Sequence, residues 1–217
     1  MKQEKVKLLK KQIGASYFRV AIFGSARIKR YDKNYRLIYQ LAKMIGKKNL
    51  DIVTGGGPGT MEAANAGHRD GNKGLARSYG LLIKLPKAQK TNKHLDLKKE
   101  FSIFSDRLDQ FMALSNVVVV APGGIGTTLE LFYAWQLVQV EQICDMPIIL
   151  LGKQWIPLIN WVKNNLLKQK YIDKKDLDSI FIAKDINEAM DIINKTYEQF
   201  EKGGKNVCIN LKKYRLK

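Results

Sequence analysis

A chain of 217 residues can bury a full core, and 45% hydrophobic with 27% charged content suits one globular domain over residues 1–217. No apolar run approaches the roughly 18–20 residues that a membrane-spanning helix requires, and neither CxxC pairing nor a disulfide framework is suggested by Cys144 and Cys208. Lys+Arg 38 against Asp+Glu 20 gives +18, yet the lysines are spread along the chain without an RGG tract or zinc knuckle, so the charge reads as a solvated surface and nucleic acid is not an expected partner.

In chain order, residues 1–16 read as a short basic amphipathic helix without the apolar core of a secretory signal, which points to the cytoplasm. Tyr17 to Phe23 is the first strand and ends in the small-residue loop Gly24-Ser25. Asn34 to Lys47 carries apolar residues at helical spacing. A second strand, Asp51 to Thr54, runs into the turn Gly55-Gly-Gly-Pro-Gly59, after which Thr60 is placed to N-cap a small-residue helix. Tyr79 to Leu85 is the third strand. The polar stretch Lys87 to Lys99 follows as a loop long enough to be functional. A short strand is expected over Phe101 to Phe104, then a helix from an N-cap at Ser105 to Leu114.

The most informative stretch is Val117-Val-Val-Val-Ala-Pro-Gly-Gly-Ile-Gly-Thr-Thr-Leu-Glu130. Four β-branched residues in a row suit a strand buried on both faces, as in a parallel sheet covered by helices. The glycines let the backbone approach a ligand, and the helix expected from Thr127 turns its free N–H groups and positive dipole end toward the same loop. Strands at Met146–Gly152 and Ile180–Ile182 and helices over 155–167 and 186–200 continue the alternation. The basic tail, 202–217, includes a possible edge strand at Val207 to Leu211. This pattern specifies an α/β fold: a doubly wound, mostly parallel sheet with helices on both faces and its ligand beyond the carboxyl ends of the strands.

Three loops meet that edge, around Gly24-Ser25, Gly57 and Gly123-Gly124-x-Gly126-Thr127-Thr128. Neither a dinucleotide fingerprint nor a P-loop is present, so a mononucleotide or sugar phosphate fits best. Hydrolysis there requires a carboxylate and a cation, for which Glu130 and Arg107 are the candidates. Each has a plain structural alternative. Thr127-Thr-Leu-Glu130 satisfies the S/T-x-x-E capping box, which by spacing alone is the favoured account, and Arg107 can pair on the surface with Asp106 or Asp109. His68 and His94 are lone histidines. No Cys, His or carboxylate group has metal-ligand spacing, so neither metal nor other cofactor is expected.

Pro122-Gly-Gly-Ile-Gly-Thr-Thr-Leu-Glu130 resembles the PGGxGTxxE motif of the LOG (Lonely Guy) family, the cytokinin riboside 5′-monophosphate phosphoribohydrolases whose members have often been labelled lysine decarboxylases. The loops Phe23 to Arg27 and Thr54 to Ala64, with Leu85 to Arg107, extend the likeness, which runs from about Arg19 to Asn165. The resemblance implies a Rossmann-like fold, at least a homodimer, and hydrolysis of a nucleoside 5′-monophosphate to free base and ribose 5-phosphate. It makes Arg107 and Glu130 similar to the family's catalytic pair and Gly123, Gly124, Gly126 and Thr127 similar to its phosphate loop. The family commonly has Arg-Lys where this chain has Arg107-Leu108, and a Pro-x-Glu where it has Pro86-Lys-Ala88, so the preferred base is left open. The alternative is a nucleotide-binding or carrier protein that uses the same pocket without hydrolysis.

Overall fold

The computed structural model of the protein describes residues 18–86 and 90–203. The expected N-terminal helix and the 207–211 strand lie outside these residues. In chain order the elements are β1 (Arg19–Phe23), α1 (Lys33–Lys47), β2 (Asp51–Thr54), α2 (Thr60–Gly71), β3 (Ser78–Ile83), β4 (Leu97–Phe101), α3 (Phe104–Leu114), β5 (Val117–Val120), α4 (Ile125–Gln139), β6 (Ile148–Leu151), α5 (Trp155–Trp161), β7 (Ile180–Ala183) and α6 (Ile186–Gly203). The strands form one seven-stranded sheet in the order β4-β3-β2-β1-β5-β6-β7, and every pairing is parallel.

The strand alternation explains why the central strands read as unbroken apolar runs. Val117 and Val119 face one core together with Ile38, Leu41 and Ile45 of α1 and Met190 and Ile193 of α6. Val118 and Val120 face a second core with Phe111 of α3, Leu131 and Trp135 of α4 and Trp155 of α5. A strand covered on both sides needs apolar residues at odd and even positions alike. The sheet is therefore doubly wound.

Several boundaries differ from the sequence expectations. The fourth strand is Leu97–Phe101, mostly exposed and carrying Lys98, Lys99 and Glu100. As the sheet's edge it gains ladder hydrogen bonds from β3 alone, and charge on an edge strand discourages pairing with other chains. Gly59 and Ile103, not Thr60 and Ser105, occupy the cap positions of α2 and α3. The helix beginning at Trp155 continues through Val162–Leu167 as a π-helix. His68 is fully buried inside α2, with Nε2 2.9 Å from the Leu50 carbonyl, so it is a core residue on the helix–sheet seam. Among the described residues, no helix is long and apolar enough to cross a membrane.

The order of strands reverses direction of winding between β1 and β5, the switch point where open parallel sheets leave a crevice. The loops that follow these two strands are joined there, Ser25 donating its backbone N–H to the Pro122 carbonyl at 3.2 Å.

Candidate active site

The loop after β1 is locked against the turn after β2 by backbone contact. Thr60 donates its N–H to the Ser25 carbonyl at 2.9 Å, and Gly24 packs so closely on Thr60 that an added Cβ would lie 2.6 Å from its methyl carbon. Gly59, at φ 67, meets the Ser25 carbonyl in the same way, with 2.4 Å left for a Cβ. Glycine is demanded here by both the left-handed backbone and the space. Gly57 contributes a carbonyl to the Asn92 side-chain amide at 2.9 Å, and Asn92 also donates its backbone N–H to Gly56. Asn92 thus pins the long loop after β3 over the glycine turn, a role its sequence position gave no signal of.

At the switch point, Gly124 is the N-cap of α4 and has no side-chain cap. The helix therefore begins at Ile125, two residues earlier than expected. Thr127 is a buried third residue of the helix rather than its cap, seated against Gly123, where an added Cβ would lie 2.2 Å from Thr127 Oγ1. Thr128 turns its hydroxyl back to the Gly124 carbonyl at 3.1 Å. The capping-box account of Thr127 and Glu130 does not hold: with no side-chain cap present, Glu130 is free to face across the site. The backbone N–H groups of Ile125, Gly126 and Thr127 stand at an uncapped helix start, an arrangement that attracts anions.

Glu130, in the second turn of α4, meets Arg107 from the first turn of α3, Oε1 to Nη1 at 3.4 Å. Arg107 is not on the surface. Its side chain is 8% exposed, its Nε donates to the Leu81 carbonyl at 2.7 Å, and its guanidinium lies 5.1 Å from the Phe111 ring centre. Gly55 forms the other wall, since a Cβ there would come within 2.4 Å of Nη2. Asp109, one of the surface partners considered for Arg107, instead accepts a hydrogen bond from Tyr133 of α4. Two rungs, Arg107–Glu130 and Asp109–Tyr133, thus join α3 to α4.

Burial pushes the Glu130 carboxyl up to about 7, against the opposing attraction of Arg107. The long single contact explains the outcome, because one 3.4 Å approach replaces little of the hydration that a carboxylate loses. Arg107 is shifted down by burial, with Glu130 opposing that shift. A carboxyl poised to change charge near neutrality, beside a fixed cation and an uncapped helix start, is suited to proton transfer or to stabilising a developing positive charge. Tyr133→Phe, which removes the second rung, is expected to cost about 1 kcal/mol or less in stability and to lower the melting temperature by only a few degrees; a thermal melt would check this.

A parallel, doubly wound sheet with a glycine loop and a helix start at its switch point defines a Rossmann-like α/β fold, and comparison with known proteins makes it particular. The family profile described as "possible lysine decarboxylase" matches residues 61–193, and the chain belongs to that family, the LOG family. Among curated proteins, the pyrimidine/purine nucleotide 5′-monophosphate nucleosidase of Escherichia coli K12 is 29% identical over 130 residues, 56% of this chain and 28% of the relative. The match thus spans under a third of that enzyme's length. Among solved structures, the molybdenum cofactor carrier protein of Chlamydomonas reinhardtii superposes with a TM-score of 0.64 at 18% identity, covering 85% of this chain and 99% of the other. A molybdenum cofactor binding protein of Rippkaea orientalis gives 0.62 at 20% identity, covering 83% and 98%. At these identities the two structures speak for the fold.

Proposed function

We propose that the protein hydrolyses the N-glycosidic bond of a nucleoside 5′-monophosphate, releasing the free base and ribose 5-phosphate. The observation that carries this reading is the pairing of buried Arg107 with half-buried Glu130, on the helix whose start is uncapped. The nucleosidase relative supports the same chemistry at modest identity. The N–H groups at the start of α4 receive the 5′-phosphate, and that binding energy holds the ribose in place over Glu130. As the bond to the base lengthens, C1′ takes on oxocarbenium character. The Glu130 carboxylate stabilises that charge and orients the water that attacks C1′, while Arg107 holds the carboxylate in position and offsets negative charge on the departing base. The loops at Gly24-Ser25 and Gly57 close the ribose side of the crevice.

The acting unit on this reading is a homodimer. Helix α4 carries apolar residues on more than its buried face: Leu131, Ala134 and Trp135 are buried, yet Leu129 and Phe132 are 46% and 38% exposed, and Ile103 and Phe104 at the start of α3 are exposed as well. A helix of that character is stable when both faces are covered. The deciding experiment incubates the protein with purine, pyrimidine and cytokinin riboside 5′-monophosphates and measures free base. Release from at least one is expected. No release from any, with ligand bound and recovered unchanged, would sink the hydrolase and leave a nucleotide carrier.

A further inference from the structure

The turn between β6 and α5 braces the stretch from Val120 to Gly123 at three points. Gly152, at φ 105, lies so close to Pro122 that an added Cβ would stand 3.2 Å from its ring carbon. Trp155, 2% exposed, donates its indole N–H to the Val120 carbonyl at 3.1 Å, tying the turn to the end of β5. Between them, the side-chain amide of Gln154 engages both backbone groups of Gly123. The Gly123 N–H donates to Oε1 at 3.1 Å and Nε2 donates to the Gly123 carbonyl at 2.6 Å. A primary amide carries an acceptor and a donor side by side, so this one side chain serves both the N–H and the C=O of Gly123.

We propose that Gln154 is a positioning residue for phosphate recognition, resting on the nucleotide reading above. Its amide takes up the N–H of Gly123, so the 5′-phosphate is received by the three N–H groups that follow Gly124, at Ile125, Gly126 and Thr127. Those N–H groups are aimed by a loop held from both sides, by Ser25 on Pro122 and by Gln154 on Gly123. Being uncharged, Gln154 braces the loop without repelling or neutralising a phosphate. Releasing it adds freedom that phosphate binding must then remove, and frees a glycine N–H to draw the anion off its position.

The test measures affinity for AMP and for adenosine by calorimetry on the full chain carrying Glu130→Gln, so that ligand is not consumed. Adding Gln154→Ala, or Gln154→Met, which keeps the reach but neither donates nor accepts as an amide does, is expected to lower the AMP-over-adenosine preference about tenfold. The melting temperature should stay within a few degrees, as Gln154 is exposed. An unchanged preference in either variant overturns the proposal, as does an equal loss for both ligands, which marks general loosening. If the parent chain binds neither ligand, the nucleotide reading itself fails and the role of Gln154 with it. Failure of the variants alone leaves that reading standing.

Discussion

Replacing Glu130 with Gln is expected to lower turnover by roughly 10²–10⁴-fold while making the protein more stable at pH 8. Burial holds the folded-state carboxyl protonated up to about 7, against 4.5 for the ordinary group. Between these values the folded protein binds more protons than the unfolded chain, so the stability that Glu130 contributes is complete below about 4.5 and is lost as pH rises through about 7. At pH 8 the ionised side chain costs on the order of 3 kcal/mol, which an uncharged glutamine avoids while still accepting from Arg107. A gain of several degrees in melting temperature at pH 8, fading by pH 5, is the expected signature. A residue that only capped the helix would behave the opposite way, with activity kept and about 1 kcal/mol lost on substitution. Turnover of the unmodified protein should rise with pH through about 7 as the carboxylate forms. A protein that is most active where this side chain destabilises it most has its carboxylate placed for chemistry, a common cost of function.

The parts of this arrangement that the sequence disclosed are those written in local pattern. Val117 to Val120 announced a strand covered on both faces, and the two cores meet on its alternate sides. The polar Leu97–Phe101 gave no such signal, because an edge strand of this sheet needs neither apolar face to be continuous. Glu130 was visible as a candidate but not separable from a cap, since Thr-x-x-Glu is the same string in both cases. The distinction rests on where the helix starts, and Gly124 moves that start two residues upstream. Arg107 was obscured by closer alternatives, Asp106 and Asp109, whereas its partners come from β3 and α4. Gln154 and Asn92 act over sequence separations of 31 and 35 residues onto backbone atoms of glycines, which carry no side-chain signature to read. Short-range chemistry was legible. Long-range aim was not.

The second large effect concerns the other half of the pair. Arg107→Met is expected to abolish turnover to a similar degree and, unlike Glu130→Gln, to destabilise the protein by about 2–4 kcal/mol at pH 8. Two groups lose their partner at once: the buried Leu81 carbonyl, which accepts from Nε, and the Glu130 carboxylate, which loses its neighbouring cation. Without the guanidinium, only burial acts on Glu130, and its pKa moves further up from about 7. The loss should therefore be smaller at pH 5.5, where Glu130 is protonated with or without Arg107, and larger at pH 8, where it must either ionise unpaired or hold a proton at a cost. Combining the two substitutions separates these contributions. In a Glu130→Gln background the pH-dependent part of the Arg107→Met penalty disappears, and what stays is the orphaned carbonyl together with lost packing on Phe111 and Gly55. Denaturant melts of the four proteins at both pH values give the coupling directly, expected at about 1–3 kcal/mol at pH 8 and near zero at pH 5.5. Equal penalties in both backgrounds and at both pH values would mean that the 3.4 Å approach of the two side chains carries no energetic coupling.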